Sequence, residues 1–542
     1  MAILKLLINI GLIFATVAFP VDKDSSNDSH VAVNYRLPDN VTPVYYDIKL
    51  IPYIEEGNFT FDGESSINIT IHRITQNLSL HVLELTIDEA ATSLLDNNDI
   101  VYTPAMYNYD NITQILVLHF DDELSPGNYT LKMRYVGILN DDLQGFFKTS
   151  YVNEEGNIAI PVNIKMNITA LFITIFSERS FVYDETSDTI STKQNVAVTA
   201  AHEMAHQWFG NVVSPLWWSH VWLNEGFASF FEEYILNQIF EDWRVMEHFV
   251  VNTHQSALHI DIAKNMKPIT LEVNSPEEIE SLFSYSSYGK APAILRMLQH
   301  IITDEVFRKG IIKYLRMHQF SSATSDDLWN ALQAILDESN VPHNAYRLKE
   351  VMDTWIKQRH FPVVHVTRNN DTNEIILTQE HFRPESEKHV DNDRWWIPLT
   401  FTTQKNPDFS NTLPTHWLRP QDQNITIDGI DPNDWIIVNL QQIGYYRVNY
   451  DSSNWQKIAD YLKSDNYTKI HVLNRAQIID DAYHLMMANQ LNVLTFLDLI
   501  SYLSQETDFI AWYPMFEILE ITEDFYNFPE TEVFKVNSNI IT

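Results

Sequence analysis

His202 and His206 stand four residues apart, and Glu203 follows the first of them directly. On a helix this spacing puts both imidazoles on one face, where two ring nitrogens can meet a single ion. Glu203 lies beside them and is not needed as a ligand. With eighteen residues between it and His206, Glu225 offers a carboxylate. That interval leaves room for one loop and a return to the same place on a second helix. Two neutral imidazoles, one carboxylate and an open fourth position form the donor set of a catalytic zinc site. A structural zinc site would more often close its fourth position with thiolates, and the chain has no cysteine.

Two helices must present these groups. Ser191-Thr192-Lys193-Gln194 reads as a capping box opening the first one. Val196, Val198, Ala200 and Ala201 lead into the histidines, and Gly210-Asn211 reads as the C-terminal stop. Residues 222–231 read as a second, buried helix carrying Glu225. These signals favour a metal site over the alternative of two ordinary core histidines.

The 542 residues are too many for one core and predict several domains. Apolar content of 45 % and charged content of 20 % fit a largely globular chain. A net charge of −36 argues against nucleic acid as a partner, because phosphates would be repelled. The same charge discourages anionic lipid and suits a well-hydrated extracellular surface. Residues 1–19 read as a secretory signal peptide, with an apolar run at 6–19 after Lys5; an uncleaved signal anchor is the alternative. Sequons at Asn27, Asn40, Asn58, Asn68, Asn77, Asn111, Asn128, Asn167, Asn370, Asn424 and Asn466 fit passage through the secretory pathway. They place the chain outside the cell or on the outer face of the plasma membrane. Without cysteines, stability in that oxidising setting must come from core burial.

Hydrophobic periodicity divides the mature chain into four parts. Alternation of period two, as in Ile67, Ile69 and Ile71, predicts an antiparallel β domain over 33–157. Helical spacing predominates in 158–360, which holds the metal motif. Strand signals return at 361–366, 395–400 and 435–438, predicting a small β-sandwich over 361–450. Helical spacing resumes in 451–542.

These segments resemble the M1 (gluzincin) family of zinc aminopeptidases, close to the aminopeptidase N type. HEMAHQWFGN at 202–211 and WLNEGFASFFEEY at 222–234 match that family's zinc segments at the same separation. The stretch from Tyr183-Asp184 through Lys193-Gln194 resembles the approach to its zinc helix. Ser287-Tyr288-Gly289-Lys290 with 294–298 resembles the segment bearing its catalytic tyrosine, and 396–400, 444–451 and 474–477 recur in its later domains. The resemblance implies a multidomain α+β fold: an N-terminal antiparallel β domain, a thermolysin-like zinc peptidase domain, a small β-sandwich and the start of a C-terminal α-helical domain. It implies one Zn2+ per chain held by His202, His206 and Glu225. Glu203 is then the general base and Tyr288 the hydrogen-bond donor to the oxyanion, with Tyr285 the competing tyrosine. Peptides are the implied substrates, cleaved at their N-termini, and the family association extends to the cell surface.

Departures from the family pattern bear on that expectation. Members carry a Gly-Xaa-Met-Glu-Asn segment whose glutamate binds the substrate's free amino group. Here the corresponding stretch reads Ile164-Lys165-Met166-Asn167-Ile168, with no glutamate between methionine and asparagine. A long family block between the first strands and this stretch is absent, residues 156–160 joining the two directly, and the helical C-terminal domain is short. His220 stands where the family usually has an aspartate. Two further readings follow from the lost amine anchor: a catalytically impaired surface glycoprotein acting as a binding scaffold, and a peptidase that cuts inside peptides.

Overall fold

The computed structural model describes residues 33–55, 58–140, 145–148, 151–152, 158–159, 162–165, 182–369, 371–383 and 393–523. The predicted signal peptide, Met166 to Ile168 and the last part of the helical domain lie outside the described residues. Two compact units are present, Met1–Lys165 and Met166–Thr542.

Among the described residues up to 138, the first unit has nine strands: β1 (Val41–Glu55), β2 (Asn58–Ile71), β3 (Thr75–His81), β4 (Leu85–Ile87), β5 (Ser93–Asp96), β6 (Val101–Tyr102), β7 (Met106–Asp110), β8 (Ile115–Leu124) and β9 (Gly127–Ile138). One sheet runs β1-β2-β9-β5-β6, with β4 also on β9; a second runs β3-β8-β7. All pairings are antiparallel. Period-two burial decides what faces inward: Ile69, Ile71, Leu131 and Met133 meet Leu78, Leu116, Leu118 and Phe120 in one core. Asn68 and Asn128 lie on exposed positions of the same strands. Phe61 pairs across from Gly137, where a Cβ would stand 2.2 Å from the phenyl ring. Glycine here is a packing requirement.

Beyond β9, residues 145–148 pair with 162–165 and 151–152 with 158–159. The described residues of 158–165 therefore pair within the first unit.

The second unit opens with α1 (Ile190–His206) and α2 (Trp222–Ile239), followed by α3 (Ala291–Ile302), α4 (Asp304–His318), α5 (Ser325–Asp337) and α6 (Leu348–Ile356). Thr189, extended in φ/ψ, caps α1 by accepting the Thr192 N–H. The cap thus lies two residues before the expected one at Ser191, which is itself helical. At its other end α1 stops at His206; Gly210 and Asn211 close the turn behind it. A short parallel pair, β10 (Val213–Pro215) with β11 (Ser321–Ala323), joins the α1–α2 loop to the segment before α5. Thr324 and Asp327 form a full capping box at α5.

The strands expected after residue 361 are present. β12 (Pro362–Arg368) pairs antiparallel with β13 (Ile375–His381) and parallel with β14 (Arg447–Tyr450). Four helices follow: α7 (Ser452–Leu462), α8 (Val472–Met487), α9 (Val493–Ile500) and α10 (Phe509–Glu523). One continuous apolar core runs from Phe209 through the strands to Ile518, and Trp222, Trp329, Trp355, Trp395, Trp435 and Trp455 are fully buried. The peptidase, strand and helical regions read from sequence are thus packed as one body. Among the described residues no helix is long and apolar enough to cross a membrane.

Arg447 on β14 is fully buried and meets Asp480 at 2.6 Å and Asp481 at 3.0 Å on α8. Removing one member of such a cluster strands the others without water. Arg447→Met should therefore lower unfolding stability by about 3–5 kcal/mol. Lys309→Met, which breaks only the exposed Lys309–Glu305 pair, should cost no more than about 1 kcal/mol. Urea midpoints measure the contrast, and equal shifts would contradict it. In the first unit, Gly137→Ala must displace Phe61 and should lose about 1–3 kcal/mol, read as an earlier transition of that unit.

Candidate metal centre

α1 and α2 pack along one another and bring the three sequence-predicted ligands together. His202 Nε2 lies 3.1 Å from His206 Nε2, 3.6 Å from Glu225 Oε2, and His206 Nε2 lies 3.4 Å from the same oxygen. A tetrahedral ion with bonds of about 2.0–2.1 Å separates its donors by roughly 3.3 Å. The triangle therefore fits one zinc-sized ion, and it is the one cluster of metal-ligating groups among the described residues. The three side chains are 14–20 % exposed, shielded enough to strengthen electrostatics yet open to a small ligand.

Each imidazole is held by its other nitrogen. His202 Nδ1 meets Glu232 Oε2 at 2.6 Å, and His206 Nδ1 meets the Phe209 carbonyl at 3.1 Å. Such partners fix the ring and turn Nε2 toward the ion. Sequence reasoning missed Glu232, although the signal was there: it follows Glu225 by seven residues, two helical turns on the same face of α2. His220 does not take this part. Its Nδ1 meets Ser325 Oγ at 3.0 Å, at the start of α5, and Ser325 also accepts from Trp222 Nε1.

The local charge balance calls for a cation. Burial works against a protonated His202, but hydrogen bonds to Glu225 and Glu232 outweigh it and push its pKa up to about 10. Burial would raise Glu225, yet His202 and His206 hold it down to about 2. Burial raises Glu233 to about 8, with Glu232 adding to the shift. A divalent ion bound there would replace the positive charge that these carboxylates otherwise draw from protons.

Glu203 lies half-buried on α1, one residue from the first ligand. Tyr288 lies on the π-helical turn Ser286–Lys290, with its ring centroid 6.4 Å from that of His202. Burial, then the charge of Glu225 and a hydrogen bond to it, raise the Tyr288 pKa, which keeps the hydroxyl a donor. Tyr285 packs instead against the main core, hydrogen-bonds Ser256 and covers Gly289 with its ring. Of the two candidate tyrosines, Tyr288 is thus the one beside the ligands.

Three family models match the chain in succession: the Peptidase M1 N-terminal domain at 42–162, the Peptidase family M1 domain at 141–355 and the ERAP1-like C-terminal domain at 435–538. The chain is 34 % identical over 473 residues to aminopeptidase N of Canis lupus familiaris, covering 85 % of this chain and 45 % of that protein. It is 38 % identical over 344 residues to aminopeptidase N of Plutella xylostella, covering 63 % and 36 %. It is 27 % identical over 628 residues to aminopeptidase A of Gloydius brevicauda, covering 90 % and 64 %. The chain therefore spans between about a third and two thirds of these relatives' lengths. That last alignment exceeds the 542 residues available here while using about 488 of them (90 %), so about 140 positions of the relative have no counterpart in this chain. With the metal motif inside the central match and all three domains in sequence order, the chain belongs to the M1 peptidase family and is aminopeptidase N-like.

Proposed function

We propose that this chain is a zinc-dependent aminopeptidase that removes N-terminal residues from peptides outside the cell. The single observation that carries the reading is the convergence of His202, His206 and Glu225 donor atoms at 3.1–3.6 Å, with Glu203 and Tyr288 around them. When bound there, zinc acidifies water and polarises the scissile carbonyl. Glu203 takes the proton of the attacking water and delivers it to the departing amine. The Tyr288 hydroxyl donates to the oxyanion as the carbonyl becomes tetrahedral, an interaction stronger in the transition state than before it. Glu232 and the Phe209 carbonyl hold the imidazoles still.

A second reading rests on one specific feature. Ile164-Lys165-Met166-Asn167-Ile168 lacks the glutamate that would anchor a substrate ammonium. A chain that binds zinc but fails to turn over substrate would then serve as a binding scaffold on the cell surface. Cleavage of N-acetylated peptides would instead point to cutting without N-terminal selectivity.

Three variants test the reading on aminoacyl amide reporters. Glu203→Gln should retain one zinc per chain and lose turnover by about 10²–10⁴-fold. Tyr288→Phe should lower kcat by about 10²–10³-fold with little change in KM. Equal activity in both variants and the parent would refute the assignment. Glu232→Gln should weaken zinc affinity by about 10–100-fold, measured by competition with a chelator. An unchanged affinity would show that Glu232 does not orient the ligand. Stripping the metal should lower the melting temperature along with turnover, and added zinc should restore both.

A further inference from the structure

Tyr288 rides on a five-residue π-helical turn, Ser286–Lys290, that continues directly into α3. A π turn competes with ordinary α-helical register and persists where its surroundings fix it. Tyr288 is its one partly open residue, 38 % exposed; Ser286, Ser287, Gly289 and Lys290 are buried. The Lys290 side chain is 1 % exposed, and its ammonium lies 2.9 Å from Asp261 Oδ2, a carboxylate with no exposure at all. Lys290 Nζ also donates to the His360 carbonyl at 2.7 Å and the Gln358 carbonyl at 3.4 Å. Asp261 accepts the His360 N–H at 3.3 Å and the Tyr445 hydroxyl at 3.3 Å. The Tyr445 ring sits 5.4 Å from the ammonium.

Two more contacts fix the other sides of the turn. Ser286 Oγ donates to the Lys267 carbonyl and Ser287 Oγ to the Leu282 carbonyl. Gly226, the residue after the ligand Glu225, lets α2 approach: a Cβ there would lie 2.7 Å from Ala291 Cβ and 3.4 Å from the Ser287 carbonyl. The turn is clamped between the ligand helix and a buried ion pair.

We propose that Lys290, through Asp261 and the Tyr445 hydroxyl, is the positioning residue for Tyr288. A slip of one residue in helical register rotates a side chain by about 100° and would swing Tyr288 away from the ligands. A buried, fully hydrogen-bonded pair resists that slip, because separating it leaves a charge without water. The inference rests on Tyr288 acting as the oxyanion donor. It also gives Tyr445, in the 444–451 segment that the metal site does not use, a task at the site.

The test pairs Lys290→Met with Asp261→Leu, which removes both charges together, and sets Tyr445→Phe beside it as the variant that deletes only a hydroxyl. Each is made with and without Tyr288→Phe. Zinc content, kcat, KM and hydrogen exchange of the 284–291 amides are read for all. The paired variant should keep one zinc, exchange those amides at least about tenfold faster, and lose about 10–100-fold in kcat at constant KM. Tyr445→Phe should move the same way by about three- to tenfold, and it decides the matter if the paired variant does not fold. Adding Tyr288→Phe to the paired variant should then cost under about threefold, because the two act as one unit. Unchanged exchange, unchanged kcat, or a full Tyr288→Phe loss in every background would overturn the proposal. If the parent chain turns over no reporter, the aminopeptidase reading fails by itself, and the exchange rates alone decide the positioning claim.

Discussion

The site in the second unit depends on holding three donor atoms within 3.6 Å of one another. Glu225 favours a positive charge on either imidazole, while the two imidazoles resist being charged together. The protein supplies the constraint through α1 and α2, whose buried faces leave the donor atoms no freedom to turn away. Ala201 and Ala205 are small and buried, so α1 lies close. Trp222, Phe227 and Phe230 anchor α2 from the other side. Phe209 stacks on Phe227 at 4.5 Å while lending its carbonyl to His206, so packing and ligand orientation use the same residue.

From that constraint the support spreads outward. α2 carries the candidate ligand Glu225, a close-approach glycine at 226 and, at Glu232, the carboxylate that meets His202 Nδ1. The approach at Gly226 admits the π turn that bears Tyr288. Behind the turn, Lys290 and Asp261 tie the peptidase helices to the strand region through His360 and Tyr445. Two residues on, Arg447 ties the same strand region to α8. A single chain of buried polar contacts thus links the metal-facing elements with the C-terminal helices, and charge burial is tolerated along it because each ion has a partner.

The sequence was most informative where chemistry and periodicity coincide. The i, i+4 histidines and the separation to Glu225 foretold that these three side chains meet, since helix geometry converts both into distances. Alternation at Ile67, Ile69 and Ile71 carried the first unit's sheet, and the strands after 361 were equally legible. The start of α1 was read two residues late, because Ser191 and Gln194 satisfy the pattern as well as Thr189 does until the backbone is seen. His220 drew attention by its place in a family pattern, while Glu232 did the orienting by simple helical spacing. Lys290, Asp261, His360 and Tyr445 come from segments up to 184 residues apart, and no local pattern announces that they meet.

The most direct test of the account is zinc-edge X-ray absorption on the purified chain, with metal quantified in the same sample. The account requires one zinc per chain, with two imidazole nitrogens and oxygen neighbours at about 2.0–2.1 Å. It also requires His206→Ala to reduce the imidazole count or abolish binding. A chain that takes up no zinc, or an ion whose surroundings are unchanged in His206→Ala, would contradict it.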